Sequence, residues 1–305
     1  MNSIKVAADN IIKNYVKIFT SEGYYVSGIS EAAYNYEVTL SGKNEKIKIQ
    51  VFFGKKGTKT LLQGNKESEL YKKIFDLVFG AGLFVETNSD FKEPEEYIGT
   101  DESGKGDYFG PLVIAGVYAD SKTIALLKKA GVRDSKELND SAVNKISFEI
   151  KKIIGNKFSI VVISPEKYNK LYNDFKNLNK LLGWAHSRVL ENILKIQSSA
   201  EAISDKFGDE RFIINSLQEK GKEIKLHQFT KAEKFTAVAA ASILARNKLN
   251  EWFSYKSSEI NIEIPKGASE KVEGTARKLI SLFGTEFVSK LVKLHFKTSG
   301  KINLC

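Results

Sequence analysis

Asp101 and Glu102 are adjacent carboxylates that close the apolar run beginning at Tyr97. Neighbouring acids at a strand end repel each other unless a cation lies between them. A tight turn, Gly104-Lys105-Gly106, follows, and a second apolar run starts at Leu112. Glycines leave backbone amides bare and the lysine adds one positive charge, which suits a phosphate or a sugar edge. A divalent cation and a phosphodiester in one place point to metal-dependent nuclease chemistry.

Asp205 is the second acidic candidate, at the end of the short run Ala-Glu-Ala-Ile-Ser-Asp. That run follows a long helical pattern, so a parallel strand is expected, and open sheets bind ligands at strand carboxyl ends. Asp209 competes with it, but lies beyond Gly208 and reads better as a turn or cap residue. Glu233 is the third candidate and has two readings. Thr230 and Glu233 carry the Thr-x-x-Glu spacing of a capping box, which needs no metal, yet helix N-termini also face the ligand edge of such sheets. Three or four carboxylates around one phosphate match a two-metal hydrolase, with Mg²⁺ ions about 3.5–4 Å apart that activate water and stabilise the leaving oxygen. Mg²⁺ favours carboxylates, so no histidine is required.

These acids need a scaffold, and hydrophobic periodicity supplies one in two parts. Residues 4–22 and 67–79 show helical spacing, and 34–40, 46–53 and 58–63 read as strands. This helix–sheet–helix unit suits a small α+β domain over residues 1–84. Its stretch 43–73 holds nine lysines against three glutamates, either a solvated sheet face or a nucleic-acid platform. Residues 85–96, polar and acidic with Pro94, read as a linker. In 97–305, strands are expected at 97–102, 111–118, 158–163, 200–205 and 223–228. Helices are expected at 121–130, 139–154, 179–198 and 230–253, with two more beyond 266. Early strands joined by short turns, then strands alternating with helices, give an α/β mixed sheet with flanking helices.

Composition narrows the partner. The chain has 305 residues and a formal charge of +10, which favours a polyanion. A single cysteine, Cys305, excludes an intramolecular disulfide and fits a reducing cytoplasm. With only His186, His227 and His295 besides, a zinc site is not expected. His186 and His295 read as packing residues. The N-terminus lacks a signal-peptide core, and no apolar run reaches the roughly 18 residues of a membrane span, so no membrane association is expected.

The ordered motifs also resemble a known family. Asp-Glu-Ser-Gly-Lys-Gly-Asp at 101–107 resembles the signature of type 2 ribonucleases H, and Asp134-Ser135-Lys136 resembles that family's Asp-Ser-Lys segment. The stretches 177–186 (Asn-Leu-Asn-Lys-Leu-Leu-Gly-Trp-Ala-His) and 265–269 (Pro-Lys-Gly-Ala-Ser) resemble ribonuclease HIII rather than HII. The resemblance implies a ribonuclease H-like domain over 97–305, preceded by a small α+β domain similar to a TATA-binding-protein repeat that binds substrate. It implies Mg²⁺- or Mn²⁺-dependent endonucleolytic cleavage of the RNA strand of RNA/DNA hybrids, with 5′-phosphate and 3′-hydroxyl products. The family's metal-binding acids fall on Asp101, Glu102 and Asp205. Its fourth carboxylate falls on Glu233, where many relatives carry Asp. Gly104, Lys105 and Gly106 are then the substrate readers, with the 2′-hydroxyl as the group that separates RNA from DNA. Ser135 and Lys136 either hold a phosphate or begin a surface helix. Residues 264–269 lack the tyrosine context by which ribonuclease HII selects a single ribonucleotide. No obligate protein partner is evident. Two alternatives remain: HII-like junction cleavage, or a hybrid-binding protein without activity.

Overall fold

The structure is a computed structural model, and it describes residues 3–42, 45–54, 57–65, 68–75, 77–78, 91–208, 211–218 and 220–304. Asp209, Cys305 and residues 85–90 of the expected linker lie outside these. The chain divides into two compact units, Met1–Phe91 and Lys92–Cys305.

In the first unit, α1 (Ser3–Ser21) packs on an antiparallel sheet of β1 (Tyr25–Val26), β2 (Ser30–Glu31), β3 (Asn35–Ser41), β4 (Lys46–Gly54) and β5 (Gly57–Gln63), followed by α2 (Glu69–Phe75). The sheet order is β1-β3-β4-β5, with β2 also on β3. Ala8, Ile12, Tyr15 and Phe19 recur at helical spacing and meet Val38, Leu40, Ile47, Ile49 and Val51 from alternate strand positions. The short strands β1 and β2 have no counterpart in the periodicity, since two residues carry no alternation.

The second unit runs β6 (Glu96–Ser103), β7 (Leu112–Asp120), α3 (Ser121–Lys129), a 3₁₀ turn (Ser135–Glu137), α4 (Asp140–Ile154), β8 (Phe158–Ile163), α5 (Pro165–Phe175) and α6 (Leu178–Leu194). It continues with β9 (Glu201–Asp205), α7 (Arg211–Ile214), β10 (Lys225–Phe229), a second 3₁₀ turn (Ala232–Lys234), α8 (Thr236–Ile260), α9 (Glu270–Ser289) and α10 (Lys297–Lys301). Its mixed sheet has the order β10-β9-β6-β7-β8. β8, β7 and β6 pair antiparallel, and β6, β9 and β10 pair parallel. This is the mixed α/β sheet with flanking helices that the periodicity predicts.

Strand alternation assigns α6 and α8 to opposite faces. A Cβ at Gly99 would come within 2.3 Å of the Ala237 and Val238 backbone of α8. The next residue, Thr100, points the other way and bonds to His186 of α6. The small-residue run of α8, buried from Thr236 to Ala245, lets its backbone approach β6 closely where glycine leaves room.

Two differences from the sequence expectation have identifiable causes. Residues 165–175 form a helix, α5, capped by the Ser164 hydroxyl with Pro165 in its first turn. The expected helix from 230 starts only at Thr236. Its free amides are met from outside the segment, Thr236 by the Glu93 carboxylate at 2.6 Å and Ala237 by the Tyr97 hydroxyl at 2.9 Å. Lys231 is left-handed at φ 59°, and neither the 3₁₀ turn nor α8 has a side-chain cap of its own. The capping-box reading of Thr230 and Glu233 is thereby corrected, because Glu93 and Tyr97 fill that role.

Candidate active site

The central parallel pair positions two of the acids. Thr100 pairs with Ser204 across β6 and β9, so Asp101 and Asp205 stand side by side one step beyond, at the carboxyl ends of both strands. Asp205 also pairs with Phe229 of β10, and its Oδ1 accepts the Ala232 amide at 3.1 Å. Burial pushes the Asp101 carboxyl well above its usual range; Glu102 and Asp205 add to this, and bonds from the Ser242 hydroxyl and the Glu102 amide oppose it. Burial likewise raises Asp205; the Ala232 amide opposes the rise, and Glu233 and Glu102 add to it.

Glu102 takes the opposite face from Asp101. Its Oε2 lies 3.2 Å from His186 Nε2 and its Oε1 3.3 Å from Lys105 Nζ. Burial pushes Glu102 up, but these two partners outweigh it and hold the carboxyl below its ordinary range. The Gly-Lys-Gly turn is thus tied to the carboxylate by its own lysine. Gly104 has φ +89°, and a Cβ there would meet the Pro111 carbonyl at 2.3 Å, so only glycine fits. Gly106 faces open space.

The turn is also fastened from the far end of the chain. Asp107 Oδ1 accepts the Gly267 amide at 2.5 Å, and Tyr108 donates its own amide to the Gly267 carbonyl at 2.8 Å. Lys293, fully buried, donates from Nζ to the carbonyls of Asp107 (2.8 Å), Gly110 (2.6 Å) and Phe109 (3.4 Å). Three acceptors match the three hydrogens of an ammonium group.

Glu233 sits in the 3₁₀ turn and pairs with Lys136 Nζ at 2.7 Å. Burial raises its carboxyl, but Lys136 brings the balance below the ordinary range. The pair edges a cleft of about 590 Å³ that Lys128, Arg133, Lys231 and Lys234 also line. Lys136 is largely exposed, whereas Ser135 is buried and its hydroxyl lies 2.8 Å from that of Ser242. Ser135 therefore braces the serine that bonds Asp101.

Asp101, Glu102 and Asp205 converge at two neighbouring strand ends, and Glu233 lies beside them within electrostatic range of Asp205. Among the described residues, no group of three or more His, Cys, Asp or Glu side chains stands at metal-holding spacing. Each acid is turned toward a protein donor instead: Asp101 to the Glu102 amide and the Ser242 hydroxyl, Glu102 to His186 and Lys105, Asp205 to Ala232, and Glu233 to Lys136. The donor set still fits a hard divalent cation. All its ligand atoms are carboxylate oxygens, and among the described residues no cationic side chain is bonded to Asp101 or Asp205. Thr100 and Ser242 escape a sequence reading, and His186 is read there as packing, whereas it bonds Thr100 and Glu102. Ser242 leaves a trace, as the single hydroxyl inside the run Ala-Val-Ala-Ala-Ala-Ser-Ile-Leu-Ala.

Among the described residues, no helix is long and apolar enough to cross a membrane. The family model for ribonuclease HII matches residues 98–299. Ribonuclease HIII of Protochlamydia amoebophila is 41% identical over 206 residues, covering 68% of each chain. That of Chlamydia felis is 40% identical over 208 residues, covering 67% of this chain and 69% of its own. Among solved structures, Bst-RNase HIII in complex with Mn²⁺ is similar at a TM-score of 0.63 and 27% identity, covering 91% of this chain and 92% of that one. RNase H3 of Aquifex aeolicus is similar at 0.56 and 28% identity, covering 95% and 97%.

Proposed function

The chain belongs to the ribonuclease HIII branch of the type 2 ribonuclease H family, metal-dependent endoribonucleases, and from that premise we propose that it cleaves the RNA strand of RNA/DNA hybrids at the β6–β9 strand ends. The observation that carries this reading is the side-by-side placement of Asp101 and Asp205, whose buried charge calls for a cation. Asp101, Glu102, Asp205 and Glu233 are the groups that would hold Mg²⁺ or Mn²⁺. Divalent cations bound there would supply an activated water and charge stabilisation at the leaving 3′-oxygen, giving 5′-phosphate and 3′-hydroxyl ends.

The chain's own residues do the remaining work. The backbone of the Gly104-Lys105-Gly106 turn reads the 2′-hydroxyl, and Lys105 couples that turn to Glu102 through its 3.3 Å contact. Lys136 stands between Glu233 and the basic cleft, placed to exchange its carboxylate partner for a substrate phosphate. Ser135 contributes from beneath, through Ser242, by orienting Asp101. Residues 1–84 act as the substrate-binding domain, 85–96 as the linker and 97–305 as the catalytic domain. On the sheet of the first unit, Lys46, Lys48, Thr39, Ser41 and Gln63 line a cleft of about 570 Å³ suited to a phosphate backbone. A hybrid substrate and a single cysteine support a cytoplasmic location.

The test is cleavage of a hybrid with a run of ribonucleotides against a duplex with a single embedded one, in Mg²⁺ and in Mn²⁺, with the product ends mapped. The expected result is metal-dependent cutting of the run with 5′-phosphate ends. Preferential cutting at the single ribonucleotide would replace this reading with HII-type junction cleavage, and no cutting with either metal would leave a binding protein.

A further inference from the structure

His186 is the one fully buried histidine, and its ring meets a partner on every side. Nδ1 lies 3.0 Å from the Thr100 hydroxyl, Nε2 lies 3.2 Å from Glu102 Oε2, and the Phe207 ring stacks on the imidazole at 4.9 Å between centroids. A carboxylate oxygen only accepts, so Nε2 must carry a hydrogen and donate it to Glu102. Thr100 and Glu102 are two residues apart on β6, so both side chains leave the same face of the strand, the face that α6 covers. One ring therefore bridges the strand interior to the carboxylate at its end.

We propose that His186, braced by Thr100, is a positioning residue that orients Glu102 for cation binding, so that cation affinity is set from α6 as well as from β6. The proposal rests on the reading of Glu102 as a ligand. Each carboxylate oxygen has two lone-pair sites, and the contacts from His186 and Lys105 occupy one on each. They fix the carboxylate plane and leave one site on each oxygen for a cation. An orienting donor behind a metal ligand is worth about 10–100-fold in metal affinity.

Two amide side chains separate this role from packing. The terminal nitrogen of glutamine reaches where Nε2 sits, and that of asparagine reaches where Nδ1 sits. His186→Gln keeps a donor for Glu102, whereas His186→Asn keeps only the partner of Thr100. Mn²⁺ binding to the substrate-free, full-length protein is followed by calorimetry and by the electron paramagnetic resonance signal of free Mn²⁺, with melting curves for folding. His186→Gln is expected to bind Mn²⁺ within about threefold of wild type, and His186→Asn about 10–100-fold more weakly. His227→Asn removes a histidine–glutamate contact of 3.0 Å at the opposite end of β9, and its Mn²⁺ affinity should not change. Equal affinities for the Gln and Asn variants, at any level, overturn the proposal. If either fails to fold, Thr100→Val decides: it is expected to weaken Mn²⁺ binding, and wild-type affinity there also overturns it. Glu102→Gln separates the two layers. Undiminished Mn²⁺ binding in that variant defeats the ligand reading itself; abolished binding there, with matched Gln and Asn variants at 186, defeats only the role of His186.

Discussion

Gly99→Ala tests the close contact that sets the depth of α8 against the central strand. The added Cβ would lie 2.3 Å from the Ala237 carbonyl carbon and the Val238 nitrogen, about 1.1 Å short of ordinary contact at 3.4 Å. Both neighbours are helix backbone, so no side chain can rotate away and α8 must shift. Overpacking of this kind costs about 1–3 kcal/mol. For a unit of this size each kcal/mol lowers Tm by about 2–4 °C, so the expected loss is about 2–12 °C. The same shift moves Ser242, one turn further along α8, away from Asp101 and loosens its contact with Ser135. A misplacement near 1 Å in a catalytic array costs about 100-fold in turnover. Melting curves and steady-state cleavage of a hybrid measure both effects. Gly274→Ala, in α9 with open space around its Cβ, is the control and should hold or gain stability by up to about 1 kcal/mol. Wild-type melting and turnover in Gly99→Ala would refute the reasoning, because the strand and helix would then not be in rigid contact.

Asp101→Asn should abolish most cleavage, by about 100-fold or more, while raising the Tm of the metal-free protein at neutral pH. The sign follows from burial and from Glu102 and Asp205, which lift the folded carboxyl above its ordinary 3.8. Between 3.8 and that raised value the folded state holds the extra proton, so stability falls as pH rises through the window, and the asparagine removes the penalty. An unchanged metal-free Tm in this variant would contradict the crowding of charge. Lys136→Met frees Glu233 from its 2.7 Å partner and should tighten Mn²⁺ binding by up to about fivefold, the scale of an exposed ion pair, while raising KM for the hybrid. Weaker Mn²⁺ binding in a titration would count against competition at Glu233. Replacing Lys46 and Lys48 by glutamine should reduce the salt slope of hybrid binding by about 1 for each lysine that meets a phosphate. An unchanged slope would mean that this sheet face does not track the backbone.

The parts of the molecule that repeat or alternate were readable in the residues; the parts made by distant contacts were not. Ile47, Ile49 and Val51 announce their strand by alternation, and the acids at 101, 102 and 205 fall at strand ends that apolar runs delimit. The helix at 165–175 was open to reading too, since Ser164 and Pro165 start it and Tyr168, Leu171, Tyr172 and Phe175 keep helical spacing. Glu233 misleads because Thr-x-x-Glu describes only local spacing. Its true partner is 97 residues away, and the caps of α8 arrive from Glu93 and Tyr97. Ser135 looks like a surface helix start, and only the approach of Ser242, 107 residues on, buries it. His186 in an apolar helix reads as packing until strand alternation puts Thr100 and Glu102 on its side.

The fastening of the 104–110 turn by Lys293 has a consequence for the order in which the enzyme comes into being. Its Nζ contacts the Asp107 carbonyl across 186 positions of sequence, and Phe109 bridges to Val292 beside it. Closing so long a loop is among the slow, late events of folding. During synthesis the strands that bear Asp101 and Asp205 are complete long before residue 293 is made. Until residue 293 is made, the 107–110 loop lacks the buried side chain that gathers three of its carbonyls. A chain cut short before that lysine would carry Asp101 and Asp205 without the contact that gathers the 107–110 carbonyls.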